Sequence, residues 1–372
     1  MPISNIQYID SQELLDSACN ACVQSNILAV DTEFERTNTY FAHPALVQLY
    51  DGQTIYLLDP LAISDLSEFT RLIHNGRIPA IMHAASEDLG LLNQMTGRPL
   101  ADLFDTQIAA GFCGFENSLG YHRLVDEILN IEIKKDQTRS NWLRRPLSAA
   151  QLNYAALDVY YLPVLHHWLC ERLEAIGRID WLREEMELFL KQVQVSEVER
   201  DYLKLAKNLP DNAATRSRLM HLCEWRDGIA RERNVPRRQL LEDGLMLAIT
   251  QQSPLDADTL SQLCRHQPMG RRAQSGDLDS ICEYLATTPE RNLPTAVQGL
   301  SCYRKTLREM QDIVRACATR LVLPPALLAS KRMLENCISH VHILKTADLP
   351  IEFCGWRREI LAKPLLECLK NA

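Results

Sequence analysis

Between Ile27 and Pro60 the chain carries three short apolar runs in close succession, and these commit its first part to a sheet. ILAVD, ALVQLYDG and TIYLLDP are each too short for a helix and are rich in β-formers. Asp51-Gly52 stands between the second and third, a turn signal that predicts an antiparallel hairpin. LSEFTRLIHN follows as an amphipathic helix, IPAIMHAA as a further strand, and SEDLGLLNQM as a helix with Ser86 as its N-cap. LFDTQIAAGF and LGYHRLVDEIL read as helical. SAAQLNYAALDVYYLPVLHHWL is a long helical pattern that Pro163 bends or breaks. Up to about residue 165 the chain is therefore mixed α/β.

Beyond that point the strand pattern stops. Residues 166–208 are helical and charged, KNLPDNAATRS reads as a linker, and everything from about 212 looks helical, with breaks at PLDADT, TTPERNLPTA and LPPA. A faint repeat runs through this half. Ala230, Val235-Pro236, Leu240 and Leu245 line up with Ala318, Leu323-Pro324, Leu328 and Met333, at an offset of 88 residues. The expected organisation is a first domain over 1–170, a helical linker over 171–211, and two small helical domains over 212–292 and 293–372.

Composition removes several classes. The chain is 46% hydrophobic and 24% charged, which is ordinary for a globular protein. It has no uninterrupted apolar run of 18 residues, so no transmembrane helix is expected. MPISNIQYIDSQELL lacks the basic and apolar regions of a secretory signal. The net charge of −8 and pI of about 5.7 argue against a protein that coats nucleic acid non-specifically. They leave room for an enzyme that grips nucleic acid through local basic patches and metal ions. The 12 cysteines are scattered, which fits a reducing cytoplasm. Cys19 and Cys22 have C-x-x-C spacing but no second pair, so they read as two reduced thiols on a helix.

The chemistry concentrates in three segments. In ILAVDTEFER, Asp31 and Glu33 are i and i+2 on a strand and project from one face. Two such carboxylates repel each other and resist desolvation unless a cation joins them; otherwise the strand simply runs out into solvent. Asp88, in IMHAASEDLGLL, sits in the first turn of a helix, as a metal ligand or as a complement to the helix dipole. Tyr154 and Asp158, in LNYAALDVYYL, are i and i+4 on a largely buried helix, where an Asp needs a cation, an Arg or backbone donors. Taken together, four carboxylates can hold two divalent ions about 4 Å apart, and a tyrosine hydroxyl can orient an attacking water. That combination suits hydrolysis of a phosphodiester.

This constellation resembles the DEDD exonuclease superfamily in its tyrosine-containing branch, and within it the ribonuclease D family. AVDTEFERTNTYFAHPALVQLYDG, HAASEDLGLL and RRPLSAAQLNYAALDVYYL carry the resemblance in the first half. LCEWRDGIARERNVPRRQLL resembles the helical HRDC module, and LLASKRMLENC with GWRREIL resembles a second, more diverged one. The resemblance implies an α/β ribonuclease H-like exonuclease domain, a mixed sheet flanked by helices, followed by two all-α HRDC domains. It implies metal-binding acids at Asp31, Glu33, Asp88 and Asp158, a water-orienting Tyr154, and two divalent ions, Mg²⁺ or Mn²⁺. The activity implied is 3′→5′ release of nucleoside monophosphates from RNA, with tRNA precursors and single-stranded 3′ ends as substrates. A cytoplasmic monomer is expected, since one chain supplies every acid.

Further candidates surround this set. Lys134, Lys135, Arg139, Arg144 and Arg145 either bind the RNA backbone or are solvated surface. Thr32 and Phe34 flank the acids, with Phe34 able to stack on a terminal base or to sit in the core. His83 reads as a hydrogen-bonded structural or substrate-positioning residue. Trp225 reads as core. Arg226, Arg231, Arg233, Arg237 and Arg238 form a basic cluster that either touches RNA or lies on a solvated helix face. His166-His167 has no ligand spacing. Two rival readings remain: a 3′→5′ DNA exonuclease, and a non-catalytic RNA-binding scaffold. The scaffold predicts a broken acid set, whereas this one is intact.

Overall fold

The three apolar runs become the middle of a six-stranded sheet in the computed structural model, which describes residues 5–133, 140–193, 197–209, 212–252, 256–291, 293 and 297–371. In chain order the α/β part contains β1 (Ile6–Ile9), α1 (Gln12–Gln24), β2 (Leu28–Glu35), β3 (His43–Tyr50), β4 (Ile55–Leu58), α2 (Ser67–Ile73), β5 (Ala80–Met82), α3 (Ser86–Thr96) and β6 (Leu103–Asp105). It continues with α4 (Thr106–Phe112), α5 (Tyr121–Leu129), α6 (Ala149–Tyr160) and α7 (Leu162–Ala175). The strand order is β1-β4-β3-β2-β5-β6, and only β3 runs against the others. The β3–β4 pair is the hairpin that Asp51-Gly52 predicts. Leu28, Ala29, Val30, Leu46, Val47, Leu49, Ile55, Leu57 and Leu58 are buried, and each large side chain among them contributes about 1.5–3 kcal/mol.

Two sequence readings change. LFD is not helical: Leu103–Asp105 pairs parallel with β5, and only Thr106–Phe112 forms the helix. A three-residue strand is too short to show a period, so its partner strand decides its conformation. Ser86 is not an N-cap. It is the first helical residue, after Ala85, and it makes no capping bond. Pro163 does break the long pattern: α6 ends at Tyr160, and Pro163 lies in the first turn of α7, where its missing N–H costs nothing.

The all-helical half comprises α8 (Ile179–Val193), α9 (Glu197–Ala206), α10 (Ala213–Glu232), α11 (Arg237–Leu240), α12 (Asp243–Thr250), α13 (Ala257–His266), α14 (Asp277–Thr287), α15 (Tyr303–Leu321), α16 (Pro325–Leu328), α17 (Lys331–Ile338) and α18 (Lys363–Lys370). The faint repeat is a structural one. Val235 N donates to Ala230 O, and Leu241 N to Arg237 O. Eighty-eight residues later Leu323 N donates to Ala318 O, and Ala329 N to Pro325 O. Asn234 and Val322, each two residues before the proline, both have positive φ, 49° and 51°.

The two helical units pack differently. α15–α18 share one continuous core with the α/β part, through Met310, Leu328, Leu361 and Trp356. The Trp356 ring stacks on Trp181 at 5.2 Å and meets Phe112 edge-on at 5.0 Å. α10, α12 and Ile281 of α14 have a core of their own, which Tyr202 and Leu205 of α9 join. The segment between the α/β part and this unit is therefore divided: Leu182 and Met186 of α8 belong to the first core, and α9 to the second. Tyr40 and Phe41 of the α/β part pack against Ala230, Val235 and Leu240, and Lys207, just after α9, pairs with Glu335 of α17 at 3.1 Å. Each of the three units thus touches the other two. Among the described residues no single helix is long and apolar enough to cross a membrane.

Candidate active site

Asp31 and Glu33 stand half-buried on β2, as the strand alternation requires, and α6 packs across β2 and β3 to present Tyr154 and Asp158. Asp88 enters from the first turn of α3. The acids feel one another. Burial raises Asp31 well above the usual carboxylate range, and the charges of Asp88, Asp158 and Glu33 add to it. Burial, then Asp158 and Asp88, push Glu33 up to about 8. Burial raises Asp88 to about 6, against the hydrogen bond from Thr32. Asp158 is also raised by burial, opposed by His122, whose Nε2 lies 3.8 Å from its Oδ1. Such a cluster is costly unless cations or protons neutralise it. Among the described residues no three Asp, Glu, His or Cys side chains already close on one point. Asp88 Oδ1 accepts a hydrogen bond from the Thr32 hydroxyl.

The positions of these side chains are fixed by their neighbours. Asp105, buried at the end of β6, caps α4 by accepting from the Gln107 and Ile108 N–H groups, and it also accepts from Ala84 and Ala85. One carboxylate therefore holds the β5–α3 corner, with Ala84 in the left-handed region, and aims α3 so that Asp88 meets Thr32. α6 starts at a capping box formed by Ser148 and Gln151. Its far end is pinned by Tyr121, whose hydroxyl donates to Leu157 O at 2.7 Å and accepts from Tyr161 N at 3.3 Å. Tyr154 sits between the rings of Trp142 (6.1 Å) and His122 (6.5 Å).

The remaining candidates separate. Thr32 is buried and bonds Asp88. Phe34 is half-buried at a β-bulge: Glu33 pairs with Leu46 but Phe34 with Pro44, so Ala45 is the extra residue. His83 points its Nδ1 at the Thr106 hydroxyl (2.9 Å) and packs edge-on against Tyr121, which makes it part of the scaffold under Asp88. Lys134, Lys135 and Arg139 lie outside the described residues, and Arg144 is exposed.

Arg145 is occupied. Its five N–H donors reach both oxygens of Asp59 (2.6 and 2.7 Å) and the carbonyls of Trp142, Arg144 and the bulged Ala45. Burial pushes the Asp59 carboxyl up, but Arg145, Tyr8 and the Leu61 N–H outweigh it and hold it below its ordinary value. This guanidinium organises the sheet edge rather than RNA. Arg145→Ala is expected to cost about 3 kcal/mol in urea unfolding, since it strands a buried carboxylate, with RNA affinity of the folded protein unchanged. Lost affinity at unchanged stability would return Arg145 to a substrate role.

The arginines of the first helical unit are likewise paired. Arg226 is 1% exposed and bridges Asp201 and Asp243. Arg231 and Arg237 hold Asp227, Arg233 holds Asp277, and Arg238 joins Asp243. Asp227 also accepts from the buried Tyr40 hydroxyl at 2.8 Å, beneath the Arg231 and Arg237 guanidinium groups. The cluster is a docking joint to the loop that follows β2. Trp225 is core, with Nε1 donating to Ser280. Sequence reasoning missed His122, Tyr121 and Asp105. Only Asp105 had a local signal, an Asp-Thr pair opening a helix.

Residues 6–174 match the 3′-5′ exonuclease family, 216–280 the HRDC domain, and 302–365 the C-terminal HRDC domain of ribonuclease D. The chain is 33% identical to ribonuclease D of Pseudomonas paraeruginosa over 372 residues, covering 99% of this chain and 98% of that one. It is 30% identical to ribonuclease D of Escherichia coli over 372 residues, covering 99% of each. Its structure superposes on the crystal structure of E. coli RNase D, an exoribonuclease involved in structured RNA processing, with a TM-score of 0.86 at 29% identity over 99% of both chains. Matched over nearly its whole length by curated ribonuclease D relatives and by the E. coli structure, the chain belongs to the ribonuclease D family of 3′→5′ exoribonucleases.

Proposed function

We propose that Asp31, Glu33, Asp88 and Asp158 bind two divalent ions, Mg²⁺ or Mn²⁺, and that with Tyr154 they form the machinery that trims RNA from its 3′ end. The observation that supports this most is electrostatic: the charges of Asp88, Asp158 and Glu33 oppose ionisation of the buried Asp31, and those of Asp158 and Asp88 oppose that of Glu33. Hard oxygen donors of this kind suit these ions, and the Thr32 hydroxyl, bonded to Asp88 Oδ1, leaves Asp88 Oδ2 to ligate. Bound ions supply positive charge for the scissile phosphate and lower the pKa of the attacking water.

The chain's own residues do the rest. Tyr154, held by its aromatic neighbours, orients the water for attack on phosphorus. His122, next to Asp158, is placed to hold or pass a proton at that carboxylate. The bond from phosphorus to the 3′ oxygen breaks, leaving a nucleoside 5′-monophosphate and an RNA shortened by one residue with a new 3′ hydroxyl. The RNAs that fit this reading are tRNA precursors and other small structured RNAs with single-stranded 3′ ends. The division into an exonuclease domain over 1–170, a connection over 171–211 and HRDC domains over 212–292 and 293–372 belongs to the same proposal, with α8 going to the first core and α9 to the second. All twelve cysteines are free thiols, in keeping with a cytoplasmic enzyme, and one chain carries every acid, in keeping with a monomer.

The test is 5′-labelled RNA with a single-stranded 3′ tail, incubated with Mg²⁺, Mn²⁺ or EDTA. A ladder shortening one nucleotide at a time, absent in EDTA, is the expected result; intact RNA that still binds would favour the scaffold. Tyr154→Phe is expected to lower kcat about 10²-fold with RNA Kd within twofold of wild type, read by single-turnover kinetics and filter binding. Normal turnover with weakened binding would contradict the water-orienting role.

A further inference from the structure

Gln48 is fully buried, and neither its Nε2 nor its Oε1 has a hydrogen-bond partner among the described residues. It pairs directly with Asp31 across the β2–β3 ladder. Directly opposed residues of an antiparallel pair put their side chains on the same face, with Cβ atoms about 4.5–5.5 Å apart. α6 covers this face. The other carboxylate at that end, Asp59, is taken by Arg145, Tyr8 and the Leu61 N–H. An unpaired buried amide bears its full desolvation cost, and a leucine of similar size would not. Unsatisfied buried atoms also gather around Tyr154, at His122 Nδ1 and Trp142 Nε1, so this cleft is where the fold tolerates polar groups awaiting a partner.

We propose that Gln48 is a positioning residue for Asp31: on metal binding its Nε2–H, unpartnered among the described residues, turns to donate to the Asp31 carboxylate and fixes the rotamer in which that carboxylate serves a divalent ion. The inference rests on the metal-site reading. The amide gives one oxygen of Asp31 a neutral donor and leaves the other for the ion. It supplies orientation without adding charge to a crowded acid cluster. Groups behind a ligand act in this way, and their loss weakens metal affinity by about 10–100-fold.

Gln48→Met keeps the length and removes the amide. Two readouts decide: the melting temperature in EDTA, and Mn²⁺ binding by calorimetry in the absence of RNA. The expected result is a melting temperature equal to or above wild type, with Mn²⁺ affinity about tenfold weaker and kcat reduced at unchanged RNA Kd. A merely structural glutamine gives the reverse, lower melting with Mn²⁺ affinity intact. Wild-type Mn²⁺ affinity in Gln48→Met, failure of the variant to fold, or weaker binding accompanied by lower melting would each overturn the proposal. Absence of Mn²⁺ binding in wild type would overturn the metal-site reading itself and, with it, this one.

Discussion

Asp31→Asn is expected to lower exonuclease activity about a thousandfold or more and to raise the melting temperature of the protein in EDTA. The loss is large because the charge stabilisation supplied through such a site amounts to several kcal/mol, and each 1.36 kcal/mol is a factor of ten. The gain in stability has a different origin. Asp31 is opposed by burial and by Asp88, Asp158 and Glu33, so the folded chain holds protons that the unfolded chain has released. Unfolded carboxylates titrate near 4. Folded Asp88 titrates near 6 and Glu33 near 8. Between about pH 4 and 8 the folded state therefore binds more protons, and stability in EDTA falls as pH rises. Asparagine removes one of the repelling charges, so the variant melts above wild type at pH 8 and its pH dependence is shallower. Thermal melts at pH 5.5 and pH 8, with and without Mn²⁺, test both halves. A variant that melts below wild type at pH 8 would mean that Asp31 is held by favourable contacts rather than by repulsion.

The same residues show why some of the site was legible in the sequence. Asp31 and Glu33 announce themselves because two carboxylates at the end of an apolar strand contradict the local pattern. Tyr154 and Asp158 do so because a polar pair interrupts a buried helix. Each is a local conflict, and local conflicts are visible in one dimension. Arg145 and the arginines of the first helical unit show the opposite case. Their charge is visible, but several of their carboxylate partners lie far along the chain: Asp59 is 86 residues from Arg145, and Asp277 is 44 from Arg233, although Arg231 meets Asp227 one helical turn away. A cluster that looks free in sequence is neutral in space. His122 was invisible for the related reason that its meaning depends on Asp158, which sits on a different helix. Strand β6 escaped because three residues carry no period, and its identity comes from β5. The repeat was faint in sequence because few apolar identities mark it. It is plain in the structure because the backbone hydrogen bonds recur.

Arg357→Ala lowers the stability of the shared core by about 3–5 kcal/mol, the cost of breaking a buried ion pair from one side. Arg357 is 2% exposed and lies where the last helical unit meets α8. Its two terminal nitrogens grip both oxygens of Glu185, while Nε donates to Leu328 O at 2.8 Å and a terminal nitrogen to Leu327 O at 2.9 Å. Its guanidinium also lies 4.4 Å from the Trp356 ring centroid. Alanine leaves Glu185 with the Trp356 indole as its one side-chain partner among the described residues and strands the buried Leu328 carbonyl and the part-buried Leu327 carbonyl. Lysine does not rescue the site, because an ammonium cannot span a carboxylate and two carbonyls as the planar fork does. Trp356, Leu328 and Leu361 belong to the core that also contains the sheet, so loosening this joint unfolds the α/β part together with α15–α18. The first helical unit has a separate core and should keep its own melting transition. Calorimetry of Arg357→Ala is thus expected to show the larger transition moving down and the smaller one staying in place. A single transition moving as a whole would mean that the contacts of Tyr40 and of Lys207 couple all three units as tightly as a shared core does.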